Sequence, residues 1–173
     1  ETFSPDLQRI SFVERVSDKI FVKAFDEEGS LLFLYEAPNS LHIPSLVWSP
    51  DSTRIAYVDY AYQRVADCNY IGYIIVQDLK SGEKKAFEGL PVDLCYKPPP
   101  DSSYYPFPRD LSWLPDNYSV LVKKSWNDTY ILDSETGEEK ELPIRAYQFA
   151  GLSALGRFMT YYQWPDPSGT CYQ

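Results

Sequence analysis

The residues able to do chemistry in this chain are few: three cysteines, one histidine, and a serine set between glycines. Cys68, Cys95 and Cys171 lie 27 and 76 residues apart, and His42 is the sole histidine. Those spacings match no zinc pattern, so a Cys/His metal centre is not expected. Three is an odd number, so at most one internal disulfide forms and one thiol remains. In Gly151-Leu-Ser-Ala-Leu-Gly156 the serine superficially suits a nucleophile elbow. The second glycine, however, stands one place too far, and no Asp and His follow in the required order. His42 directly precedes an apolar run at Ile43 and reads as structural rather than as a base. The carboxylates of Asp26-Glu-Glu28 and Glu138-Glu139 fit solvated faces, and no calcium-loop spacing is present. Catalytic residues, cofactor and metal are all expected to be absent. Asn117-Tyr-Ser119 and Asn127-Asp-Thr129 both satisfy the N-glycosylation triplet.

Charge and composition narrow the partners. A net charge of −9 and a pI near 4.6 leave no basic footprint with which to displace nucleic-acid counterions. No apolar run approaches the roughly 20 residues of a membrane-spanning helix. The chain starts at Glu1 with no signal-peptide pattern, which reads as a processed chain or a fragment. Fourteen prolines and eight glycines, with no long 3.6-residue period, call for many short strands and turns.

These residues must be positioned by a repeating unit. Leu46-Val-Trp-Ser-Pro-Asp-Ser-Thr-Arg-Ile-Ala-Tyr-Val-Asp59 reads as strand, tight turn, strand. Pro50 presets φ, and Asp51 can accept bonds from amides just downstream. The same sentence recurs as Phe3-Ser-Pro-Asp6 and Trp113-Leu-Pro-Asp116, each followed by a β-branched run. In the first copy, strands are expected at Arg9 to Glu14, Ile20 to Phe25 and Leu31 to Tyr35. The second and third copies add a matching outer hairpin, Asp78 with Gly82 and Asp133 with Gly137, which needs glycine at positive φ. A fourth copy, Phe149 to Tyr161, keeps the hydrophobic rhythm but has Ser153-Ala154 where Pro-Asp belongs. The repeats fall at about 1–40, 41–90, 109–143 and 144–173. Long insertions are expected at 60–72, between second and third strands, and at 88–110, which holds Pro98 to Pro100, a stiffened loop or short polyproline element. Repeats of about 40–45 residues with four strands each are the signature of propeller blades. The fold expected is all-β, a β-propeller segment of about three and a half four-stranded antiparallel blades in one domain, 1–173.

Trp48-Ser-Pro-Asp51 followed by Ile55-Ala-Tyr57 and then by the Asp-x-x-x-Gly hairpin resembles the TolB-type (WD40-like) propeller repeat, over nearly the whole chain. The chain departs from that repeat in lacking Gly after each Pro-Asp, where Leu7, Ser52 and Asn117 stand. The resemblance implies that the Pro-Asp and Asp-x-x-x-Gly turns share one face and that both insertions share the other. Cys68 and Cys95 then fall on one face of one blade, as a disulfide in an oxidising compartment or as two unrelated thiols. Tyr60, Tyr62, Tyr70, Tyr96, Tyr104, Tyr105 and Phe107 crowd the same face, either to meet a protein partner or to pack on one another. The function expected is a non-catalytic scaffold for protein–protein interaction or assembly, extracytoplasmic and glycosylated. The alternative is the gating propeller of a prolyl-oligopeptidase-like serine peptidase whose hydrolase domain lies elsewhere. A carbohydrate-binding tyrosine face is a weaker third reading. Because the fourth repeat stops after two strands, further blades or a partner subunit are expected to cover the open edges.

Overall fold

A computed structural model describes residues 2–17, 19–37, 46–65, 69–93, 111–123, 129–142, 148–152 and 159–162. The described residues form strands and turns only; no helix long and apolar enough to cross a membrane occurs among them. The first sheet is a meander of β1 (Thr2–Phe3), β2 (Arg9–Val16), β3 (Lys19–Asp26) and β4 (Leu31–Glu36). The second runs β5 (Leu46–Trp48), β6 (Arg54–Val65), β7 (Asn69–Asp78) and β8 (Lys84–Asp93). The third runs β9 (Leu111–Trp113), β10 (Ser119–Lys123), β11 (Thr129–Asp133) and β12 (Glu139–Glu141). A two-stranded sheet of β13 (Gln148–Leu152) and β14 (Met159–Tyr162) completes the described chain, with a register shift between Phe149 and Gly151. This is the expected all-β set of three full blades and part of a fourth.

Two apolar seams hold the blades together. Val22, Ala24 and Phe33 of the first blade pack on Trp48, Ile55, Tyr57 and Ile75 of the second. Ala56, Val58, Ile74 and Val76, on the second blade's other face, pack on Trp113, Val120, Val122 and Leu132 of the third. The continuous run Ile55 to Val58 is buried throughout. A strand covered on both faces has no solvent side and therefore shows no polar alternation. Phe33 and Tyr35 each set their rings 5.1 Å from that of Tyr57 in tilted geometry, the arrangement that suits aromatic quadrupoles.

The described residues of the insertion at 60–72 extend a hairpin: Tyr60 pairs with Gly72, Ala61 with Ile71 and Val65 with Asn69. β8 follows it, pairing Val92 with Tyr70 and Asp93 with Asn69. The first part of the second insertion, 88–93, is therefore strand as well. The extension rests on backbone bonds, which any side chain allows.

Candidate functional site

Each blade begins with an inner strand and a Pro-Asp turn, and the described side chains of three blades meet there. In each turn the aspartate closes an Asx-type loop. Asp51 Oδ1 accepts from the Thr53 amide at 3.1 Å and from the Ser49 hydroxyl at 2.6 Å; Asp116 Oδ1 accepts from the amides of Tyr118 and Ser119 at 2.9 and 2.8 Å. The residue after each aspartate takes the conformation normally reserved for glycine. Leu7, Ser52 and Asn117 have φ of 62°, 60° and 65°. The turn type is thus the one glycine would favour, at a cost of roughly 1–2 kcal/mol per residue for a residue bearing a Cβ.

That left-handed residue is also the joint between blades. Ser52 Oγ accepts from the Asp6 amide of the preceding blade at 3.1 Å, while the Ser52 carbonyl accepts from Arg9 Nη1 at 2.6 Å. The same clasp recurs one blade on: Asn117 Oδ1 accepts from the Asp51 amide at 3.0 Å, and the Asn117 carbonyl accepts from Arg54 Nη2. A glycine could supply the carbonyl but not the side-chain acceptor. This explains why Ser and Asn stand at the two joints, and why Leu7, 76% exposed with no such joint among the described residues, needs no acceptor. The Asn117 triplet therefore carries an asparagine whose amide oxygen is already committed between blades.

Inward of the turns, an open depression of about 440 Å³ is walled by equivalent residues of three blades: Phe3 and Pro5, Trp48 and Pro50, Trp113 and Pro115. The two indoles are 7% exposed. Trp48 Nε1 donates to Ser11 Oγ at 3.1 Å and Trp113 Nε1 to the Val47 carbonyl at 3.3 Å, so their polar edges are satisfied in the preceding blade and their apolar surfaces form the wall.

The described carboxylates with lowered values are held by turn bonds. Asp6 is held below its ordinary carboxyl value by the Ser4 hydroxyl, and Asp78 and Asp133 by the amides of Ser81 and Thr136. For Asp51 and Asp116 burial opposes ionisation, but bonds from Ser49 and Ser119 respectively outweigh it. Burial, helped by Asp59, pushes the Tyr57 phenol up to about 12, and burial raises Tyr130 further. These carboxylates have lower values folded than unfolded, so their contribution is complete above the unfolded value of 3.8 and is lost as pH falls below it through the lower folded values. Urea midpoints are expected to stay nearly level from pH 7 to about 5 and to fall below about pH 4. Midpoints that rise on acidification would show that relief of the −9 net charge outweighs the turns.

The residues singled out by sequence fare unevenly. Tyr60 and Tyr62 lie on β6 and Tyr70 on β7, as strand residues rather than loop residues. His42, Cys68, Cys95, Tyr96, Tyr104, Tyr105, Phe107, Asn127, Ser153 and Cys171 lie outside the described residues. Trp48 and Trp113 are buried at the seams, and Gly82 and Gly137 have φ of 74° and 79°. A Cβ on Gly137 would also meet the Phe87 ring at 3.2 Å. The Arg9 and Arg54 clasps were missed. The recurring arginine three places after Pro-Asp, in two of three copies, was the available signal.

No family model and no curated protein matches the sequence. Among solved structures, TolB from Acinetobacter baumannii is similar over 97% of this chain and 37% of its own, at 18% identity and a TM-score of 0.61. The β-propeller domain of the Trilobed protease from Pyrococcus furiosus, described as having an open velcro topology, matches 79% of this chain and 40% of its own, at 19% identity and a TM-score of 0.49. The chain thus spans about two fifths of the length of these structures. Blade-by-blade geometry and the TolB likeness agree: this chain has the fold of a TolB-type β-propeller.

Proposed function

We propose that this chain is a non-catalytic scaffold that docks a protein partner outside the cytoplasm. The observation that carries the reading is the depression where three Pro-Asp turns converge, with Pro and Trp walls whose polar edges are already bonded. A rigid apolar wall, pre-formed and stiffened by proline, costs little ordering on binding. Aromatic anchors are what protein interfaces concentrate. The carboxylates and phenols with shifted values are explained by turn bonds and burial, which supports a binding rather than an acid–base role. A photo-crosslinking residue at Ser112, on the depression's wall, should join to one discrete protein partner in the native source. Loss of that product when Pro50 is replaced by Asp would support docking there. A coding sequence that continues into an α/β-hydrolase with a G-x-S-x-G elbow would overturn the reading in favour of a peptidase gate.

The extracytoplasmic part of the proposal rests on the cysteines and on the Asn127 triplet, since the Asn117 amide is engaged between blades. Asn69 pairs with Asp93 at the end of the β7–β8 ladder; Cys68 is one residue before the first and Cys95 two after the second. A disulfide needs Cα atoms roughly 4.4–6.8 Å apart, and the intervening residues are few enough to permit that approach. Non-reducing peptide mapping is expected to show a Cys68–Cys95 cross-link; two freely alkylated thiols in natively purified protein would remove both the bond and this support.

A further inference from the structure

The chain's charge is gathered at one end. The meander topology puts six turns on the same face: 4–9, 26–30, 49–54, 78–83, 114–119 and 133–138. Together these segments hold eleven Asp or Glu and three Lys or Arg, a net of −8 out of the chain's −9. The other four fifths of the chain are nearly neutral. Two of the three cations, Arg9 and Arg54, are bound to carbonyls of the next blade, so they are committed to the joints.

Within this face the junction of the second and third blades opens into a groove of about 330 Å³. Its cations are Arg54 and Lys85, and both are held by one carboxylate, Glu135, at 2.6 and 2.5 Å. The wall carries three further carboxylates, Asp51, Asp78 and Glu83, so its four carboxylates against two cations leave a net of −2. In Asp51 and Asp78 the turn bonds all fall on Oδ1. A separate feature also points to a ligand. Ser134 lines the groove, is 0% exposed, and its hydroxyl has no hydrogen-bond partner among the described residues. An orphan buried hydroxyl costs free energy unless a ligand supplies its partner.

We infer that this inter-blade groove receives a lysine or arginine side chain from a basic protein partner. The acidic face steers the partner, and the groove takes the cation between Asp78, Glu83 and Ser134 Oγ. This rests on the scaffold reading and names the chemistry of the partner. A lone divalent cation is the rival occupant.

The test is fluorescence anisotropy of a labelled hexalysine peptide on the whole chain, with hexaglutamate as control. Hexalysine should bind, and binding should weaken steeply between about 0.05 and 0.5 M salt. Glu83→Lys and Asp78→Asn should each weaken it roughly fivefold or more, whereas Glu28→Gln, on the distant first-blade turn, should change it less than about twofold. Ser134→Ala separates a ligand role from a structural one: it should weaken binding while leaving the urea midpoint unchanged or raised. Equal effects of Glu83→Lys and Glu28→Gln would overturn the groove in favour of diffuse attraction. Displacement of hexalysine by micromolar Ca²⁺ would overturn it in favour of a metal. If hexalysine fails while the Ser112 cross-link persists, this inference falls and the scaffold reading stands.

Discussion

Replacing Trp48 by Ala is expected to lower the unfolding free energy by about 3–5 kcal/mol, the range for truncating a large buried aromatic. The ring fills the seam between the first two blades against Val22, Ala24 and Phe33. Its Nε1 donates to Ser11 Oγ, which also meets Thr2 Oγ1 at 2.7 Å. Truncation would therefore open a cavity and take the indole donor from Ser11, itself 2% exposed. The chain supplies its own control. Phe3 occupies the same place in the first blade but is 62% exposed, so Phe3→Ala should cost less than about 1 kcal/mol. Chemical denaturation of both variants decides the matter. A Trp48→Ala loss below roughly 1 kcal/mol, or a Phe3→Ala loss equal to it, would mean that the seam does not hold these blades together.

The contrast between Trp48 and Phe3 also shows what a sequence can and cannot carry. Strand order, turns and the buried Trp positions were legible because each is set within a dozen residues by Pro, Asp, Gly and β-branched runs. The turn conformation was not, since Leu7, Ser52 and Asn117 adopt a glycine-like φ without being glycine. Ser52 and Asn117 do so because the joint needs their side-chain acceptors, and the joint lies in another blade. The clasps connect residues 43 to 66 apart in sequence, beyond any local pattern. The acidic clusters were legible one at a time as solvated turns. Only the meander, by bringing six turns with a summed charge of −8 to one end, makes of them a field with a direction.

The second large effect is expected at Arg54. Its guanidinium donates to the Asn117 carbonyl and pairs with Glu135 at 2.6 Å. It also lies 5.2 Å from the Trp113 ring centroid and 5.7 Å from that of Tyr118. The side chain is 13% exposed, so most of these contacts are shielded from water. Glu135, at 47% exposed, lies in the solvent-screened range, and its ion pair should contribute no more than about 1 kcal/mol. The carbonyl bond from a charged donor and the ring contacts add roughly 1.5–3 kcal/mol between them. Arg54→Ala is accordingly expected to destabilise by about 2–4 kcal/mol. Arg54→Lys should recover less than half of that, because an ammonium cannot reach the carbonyl and Glu135 with a planar fork while stacking on an aromatic face. Arg9 makes the same carbonyl clasp one blade earlier, with a side chain 28% exposed and its ion pair to Asp6 at 3.2 Å. No ring contact to Arg9 is present among the described residues, so Arg9→Ala should cost about 1–2 kcal/mol, clearly less than Arg54→Ala. A double-mutant cycle of Arg54→Ala with Glu135→Gln should return a coupling below about 1 kcal/mol, leaving most of the loss assigned to the carbonyl and the rings. If Arg9→Ala proved as costly as Arg54→Ala, or if the cycle returned nearly the whole Arg54 effect, the joint would be held by the surface ion pair rather than by the clasp between blades.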